Sequence, residues 1–303
     1  MDFKKILLII NPKAGLTHQR YNIFDIIESF CERDCITTTL TTLKEGDAVR
    51  LVEKNAGEHE MVVCSGGDGT LNETVSALLK SGVNIPIGYI PSGSTNDMAR
   101  TLDIPKKNKK AAELIMEGEP KPFDVGLFGE DKYFCYTASF GAFTKISYST
   151  PRKLKNIFGH FAYVLTGVAK AFEELVPRYV KVEADGFECE GEFLLGGVFN
   201  SRSVAGLIRL DKSDIVLDDG LFELILIRKP KNTDGLYRML NELSHQRFTD
   251  EHVIFRRVKN AKFTFNESTP WSLDGEFGGY VSEIEVKNLK HAVSIFGRKN
   301  KKD

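Results

Sequence analysis

The chain opens with a block of apolar residues, Ile6-Leu7-Leu8-Ile9-Ile10, followed by Asn11-Pro12-Lys13-Ala14-Gly15. A short, wholly apolar run bounded by a turn signal predicts a buried strand. Ile23, Phe24, Ile27 and Phe30 then recur at helical spacing and predict a helix with those residues inward. The threonine-rich stretch Ile36 to Leu43 predicts a second strand. Gly46-Asp47 starts a helix carrying Ala48, Leu51 and Val52. Met61-Val62-Val63-Cys64 predicts a third strand, and Leu71, Val75, Leu78 and Leu79 the inner face of the helix after it. Ile85 to Ile90 predicts a fourth strand, Pro91 to Asp97 its exit loop, and Ala111 to Met116 a short helix.

Strands alternating with helices predict an α/β domain, a doubly wound and mostly parallel sheet, over residues 1–122. After Pro120-Lys121-Pro122 the period changes to two. Tyr179 to Asp185 alternates apolar and polar, and Asp185-Gly186 is a hairpin signal. Phe187 to Asn200, Leu221 to Arg228, His252 to Val258, Ala261 to Phe265 and Val281 to Val286 read as further strands, interrupted by helical patterns at Lys155 to Leu175 and Asp234 to Leu243. Residues 123–289 are therefore expected to form an antiparallel β-sandwich. The tail, 290–303, carries one more strand, Ala292 to Phe296, expected to return to the first domain.

Composition changes this picture little. With 303 residues and a net charge of −1, nothing global points to nucleic acid. Lysine and arginine are concentrated at Lys106 to Lys110, Arg152 to Lys155 and Arg298 to Lys302, as solvated faces or contacts with an anionic surface. Cys31, Cys35, Cys64, Cys135 and Cys189 form no CxxC pair, which suits reduced thiols in a cytoplasmic protein. No run reaches the roughly 20 apolar residues of a membrane span, so contact with lipid is expected from outside the bilayer. The segment Ile157 to Leu175 is apolar around more than one face. It reads as a helix packed on the sandwich, a wall of an apolar cleft, or an interfacial helix.

The candidate chemistry lies in the loops. In an open α/β sheet ligands bind outside the carboxyl ends of the strands, and small-residue loops leave those ends at Asn11 to Gly15, Gly66-Gly67-Asp68-Gly69-Thr70 and Gly93 to Asp97. Adjacent glycines let backbone approach an anion, and a helix start favours phosphate. Asp68 would repel phosphate alone. It fits a site where the carboxylate holds Mg²⁺ directly or through water, or else it caps the helix. Thr42, Ser94 and Thr95 offer hydroxyls at the same edge, or serve as caps. In the second half, Asp218-Asp219-Gly220 and Asp274-Gly275-Glu276 place carboxylates on turns, suited to a hard cation or to proton transfer, or simply to turning the chain.

Asn11 to Gly15, the run Gly66 to Glu73, Pro91 to Asp97 and Leu273 to Glu276, in this order, resemble the diacylglycerol kinase catalytic-domain family of soluble bacterial lipid kinases, related to sphingosine kinases and similar in fold to NAD kinases and phosphofructokinases. The resemblance implies an ATP- and Mg²⁺-dependent kinase that phosphorylates a lipid hydroxyl, such as that of diacylglycerol to give phosphatidic acid. It assigns ATP to Asn11, Pro12, Lys13, Ala14, Gly15, Thr42, Gly66, Gly67, Asp68, Gly69, Thr70, Leu71, Asn72 and Glu73, with Ser94 and Thr95. It assigns a structural Mg²⁺ to Asp219 and the carbonyls of Val216 and Leu221, linked through water towards Asp68, and the general base to Asp274 or Glu276. It further implies peripheral contact with the inner membrane face and a homodimer. An NAD kinase-like enzyme of the same fold, or a non-catalytic nucleotide- or lipid-binding protein, is the alternative.

Overall fold

The computed structural model describes residues 4–14, 23–141, 176–201, 203–204, 208–209 and 216–298. The chain divides into two compact units, one of residues 1–125 with 290–303, the other of residues 126–289. Gly15 and the apolar segment 157–175 lie outside the described residues, as do 152–155 and the last lysines.

In the first unit, β1 (Lys4–Ile10), β2 (Cys35–Thr41), β3 (Met61–Gly66) and β4 (Ile87–Pro91) form a parallel sheet in the order β2-β1-β3-β4. Ile6 to Ile9 are wholly buried, as are Val62, Val63 and Cys64, which is why these strands read as unbroken apolar runs. The Cys64 thiol is pushed up to about 12 by that burial. The connecting helices are α1 (Ile23–Cys31), α2 (Asp47–Asn55), α3 (Asp68–Ser81), α4 (Asp97–Thr101) and α5 (Asn108–Glu117). They group as α1 beside α5 and α2 beside α3. The expected inner face of α1 is corrected. Ile26, Ser29 and Phe30 are buried while Phe24 is 80% exposed, because the buried stripe runs through positions 26 and 30.

Pro120 and Pro122 lie inside β5 (Glu119–Phe128), at its start, where a missing N–H is tolerated. β6 (Lys132–Phe134) and β7 (Thr137–Gly141) follow. The second unit continues with β8 (Arg178–Ala184), β9 (Phe187–Phe199), β10 (Ser203–Val204), β11 (Ile208–Arg209), β12 (Phe222–Arg228), α6 (Thr233–His245), β13 (Val253–Val258), β14 (Asn260–Leu273) and β15 (Glu276–Gly297). Its strand pairs are antiparallel. β8 bridges the first halves of β9 and β14, and β7 bridges their second halves, so β9-β7-β14-β8 close on one another. Trp271 sits inside this ring, fully buried, with its indole 5.1–6.1 Å from the rings of Phe128, Phe140, Phe263 and Phe265. Such aromatic packing contributes about 0.5–1.5 kcal/mol per pair beyond area burial.

The two expected tail strands are one. β15 runs unbroken from 276 to 297, and its last residues belong to the first unit, where Ile295 pairs with Ile87 of β4 in parallel. The polar run Lys287 to His291 hides this continuity in the sequence. His291 has a positive φ of 53°, and its N–H donates to the buried Asp124 carboxylate at 2.7 Å. No helix among the described residues is long and apolar enough to cross a membrane.

Candidate active site

In the first unit the three small-residue loops meet at the carboxyl edge of the sheet. The Asn11 N–H donates to the Ser65 carbonyl at 2.8 Å, and Asn11 Nδ2 donates to Thr70 Oγ1 at 3.1 Å. Asn11 Oδ1 accepts the Lys13 N–H, and Lys13 Nζ reaches the Leu43 carbonyl at 2.7 Å. Thr42, buried, follows β2 and donates its N–H to the Ile10 carbonyl. The second and third loops are tied by Ser92 N–H to the Gly66 carbonyl at 2.7 Å and by Ser65 Oγ to Ser92 Oγ at 2.9 Å. Pro12 and Ala14 complete the first loop, and Gly69 is half-buried and Ser94 and Thr95 exposed at this edge.

Two glycines explain the closeness. A Cβ on Gly93 would stand 2.6 Å from Gly67 Cα, and a Cβ on Gly66 would stand 2.4 Å from Thr70 Oγ1. Neither space admits a side chain. Gly67, in extended backbone, is the residue before α3, and no side chain caps that helix. The first N–H groups of a 14-residue helix therefore stand in a glycine-lined cradle, carrying the positive end of the helix dipole.

Asp68 is the first residue of α3, yet its carboxylate serves another helix. Oδ2 accepts the Asp97 N–H at 2.9 Å and Oδ1 the Met98 N–H at 3.1 Å, at the start of α4. Tyr89 Oη lies 3.5 Å from Oδ1 and 3.4 Å from Asn96 Oδ1. Burial pushes the Asp68 carboxyl above the ordinary aspartate value, partly offset by the Asp97 and Met98 amides. Asn96, with a φ of 50°, locks the third loop by accepting the Gly93 N–H and donating to the Gly93 carbonyl. Glu73 also acts as a cap at a distance, its two oxygens accepting from Gly46 at 3.0 Å and Ala48 at 3.1 Å at the start of α2. The Leu71 side chain is buried in the core, and Asn72 is half-buried on the same turn. Asn96 lies in the loop the sequence pattern marks; Tyr89 is the residue at this edge that the pattern missed. A tyrosine in the middle of the buried strand β4 was the signal.

In the second unit, Asp274 and Gly275 have φ of 50° and 88° and join the paired residues Leu273 and Glu276. That is a two-residue hairpin turn with both central residues left-handed. The buried Asp274 carboxylate accepts the N–H groups of Cys135 at 2.6 Å, Tyr136 at 2.9 Å and Thr137 at 3.0 Å. Glu276 is exposed. Asp219 Oδ1 accepts the Leu221 N–H at 2.9 Å, and its other oxygen pairs with Arg257. Val216 is exposed. Among the described residues no three histidine, cysteine or carboxylate side chains gather as a metal shell. Glu223, two residues beyond Leu221, is wholly buried, its carboxylate without a hydrogen bond among the described residues and 4.0 Å from Arg257 Nε, and burial pushes it up to about 8.

The family model for the diacylglycerol kinase catalytic domain matches residues 5–128. A Bacillus subtilis diacylglycerol kinase is 32% identical over 290 residues, covering 95% of both chains. One from Staphylococcus carnosus is 31% identical over 306 residues, covering 99% of this chain and 97% of its own. Among solved structures, a Bacillus anthracis diacylglycerol kinase superposes with a TM-score of 0.77 at 22% identity, covering 98% of each chain, and a second protein of that organism with 0.81 at 24%, covering 98% and 96%. The glycine cradle and the Asp274-Gly275 turn thus sit in a chain that aligns with these relatives from end to end, and the chain belongs to the diacylglycerol kinase catalytic-domain family.

Proposed function

We propose that this protein transfers the γ-phosphoryl group of ATP to the hydroxyl of a lipid, diacylglycerol being the acceptor named for its relatives. The observation that carries the reading is the uncapped start of α3 between Gly67 and the touching Gly93 loop. Its N–H groups and dipole suit the phosphates. Asn11, Lys13, Thr42, Thr70, Ser94 and Thr95 supply polar groups around that cradle. Asp68 and Glu73 act on it indirectly by fixing α4 and α2. Magnesium bound to ATP would neutralise charge on the transferring group.

Glu276 is the proposed general base. Its carboxylate takes the proton as the acceptor oxygen bonds to phosphorus and the bond from phosphorus to the ADP oxygen breaks. Asp274, whose oxygens are engaged by three amides, holds the turn that presents Glu276. A metal held by Val216, Asp219 and Leu221 fits less well, because a guanidinium already neutralises Asp219 and a divalent ion would have to displace it.

The test is mass spectrometry of products after incubation with total lipid extract, Mg²⁺ and ATP, run beside NAD as a competing acceptor. A phosphorylated lipid, lost in Glu276→Gln, is the expected result. Phosphorylated NAD, or nucleotide binding with no product, would overturn it.

A further inference from the structure

β7 pairs with β14 as far as Ala138 and Leu273, which brings the residues before Ala138 level with the Asp274-Gly275 turn. The Cys135, Tyr136 and Thr137 N–H groups take up the Asp274 carboxylate, and the Asp274 N–H donates to the Thr137 carbonyl at 2.9 Å. These bonds fix Asp274 by its side chain and its nitrogen. The peptide that follows is the soft joint of the turn. Gly275, at a φ of 88°, tolerates either sign of φ, and turning over this one peptide is what separates the two kinds of two-residue hairpin turn. The oxygen that swings with it is the Asp274 carbonyl. Tyr136 Oη donates to that oxygen at 2.8 Å. The phenol also lies against the joint itself, since a Cβ on Gly275 would stand 3.7 Å from Oη.

We infer that Tyr136 is a positioning residue for phosphoryl transfer, its hydroxyl locking the Asp274–Gly275 peptide so that the chain leaves the turn towards Glu276 in one direction. This role rests on Glu276 as the base proposed above. Glu276 is exposed and stands one residue beyond the joint, so its backbone placement is inherited from the turn. A base displaced by about an ångström loses much of its effect on the reacting proton. Tyr136 binds backbone rather than nucleotide, and its loss should therefore appear in kcat and not in KM for ATP. Phenylalanine is the discriminating replacement. It keeps the ring and the Tyr136 N–H bond to Asp274 and removes only the donor to the carbonyl.

The test is Tyr136→Phe in the full chain, assayed with diacylglycerol, ATP and Mg²⁺. The loss of one hydrogen bond should lower kcat by about two- to tenfold, while KM for ATP and the melting temperature hold. A merely structural contribution would move the melting temperature instead. On the residual rate of Glu276→Gln the same substitution should have no further effect, because the two residues act in one step. NMR relaxation dispersion reads the joint directly. The Gly275 amide should show exchange in Tyr136→Phe and none in the wild type. An unchanged kcat overturns the inference, as does an equal loss in the Glu276→Gln background or a Gly275 amide without exchange in the variant. Exchange at Gly275 in a protein whose Glu276→Gln variant turns over normally would support the lock and defeat only the choice of base.

Discussion

Replacing Asp68 with asparagine separates the structural role of this carboxylate from its electrostatic one. Its two oxygens each take one backbone N–H at the start of α4, from Asp97 and Met98. The amide keeps one acceptor and turns an NH₂ towards the other donor, so one cap bond is lost, worth about 0.5–2 kcal/mol. An opposing effect is larger than usual here. Burial is the main influence on Asp68 and disfavours its charge, and asparagine removes that cost. The net change should be about 1 kcal/mol, or roughly 2–4 °C in melting temperature. The pH dependence has a definite sign. A carboxyl raised in the fold contributes stability below its unfolded value, about 3.9, and loses it as pH climbs towards the folded value. Asp68→Asn lacks this loss, so it gains on the wild type as pH rises through the acid range. Turnover behaves differently. If the carboxylate stabilises the reacting assembly through the loops and magnesium, kcat should fall by on the order of 10². Steady-state kinetics at neutral pH beside thermal melts across the acid range decide the matter. A variant with more than roughly a tenth of wild-type turnover would refute the electrostatic role, and one that melts about ten degrees lower would show that capping alone explains any loss.

Gly93→Ala should cost about 1–3 kcal/mol, since its Cβ would stand 2.6 Å from the Gly67 backbone. Because the displaced atoms belong to the cradle, calorimetry should also record weaker ATP binding. Glu223→Gln should stabilise the protein at neutral and higher pH. With a folded value of about 8 against an ordinary 4.5, the wild type loses stability as pH rises between those values. Urea titrations should show the variant's advantage growing by about 2 kcal/mol from about pH 6 to pH 8. Asp274→Ala would strand three amide donors in the interior and should cost about 3 kcal/mol or more. Glu276→Gln should leave the melting temperature within about a degree while abolishing turnover, as expected for an exposed side chain. Equal melting losses in the two variants would remove the distinction drawn between them.

What the sequence made legible, and what it hid, divides by the range of the interaction. The buried parallel strands and the Asp185-Gly186 hairpin are encoded by neighbours in the chain, and each formed near its expected bounds, whereas the expected loop of residues 66–70 is reduced to Gly67, with Asp68, Gly69 and Thr70 already in α3. The caps were invisible because their partners are distant. Glu73 serves Gly46 and Ala48, and Asp68 serves Asp97 and Met98. A conventional capping residue lies within about three positions of its helix start, so no local pattern announces these. β15 was split in two because its polar middle looks like a loop, and β14 was read too short because Thr269 to Leu273 follow a bulged register. The acidic residues show the consequence for function. Asp68, Glu73 and Asp274 read as chemistry in one dimension, and in three each spends its oxygens on backbone N–H groups. What they hold in place is the uncapped start of α3, the positions of α2 and α4, and the turn before Glu276. Carboxylates so used do not need to touch substrate to be indispensable, because phosphoryl transfer depends chiefly on placing phosphate donors and an acceptor hydroxyl correctly. Glu276, exposed at the end of its turn, carries no such structural duty, and that difference is the reason to look for the reacting proton there.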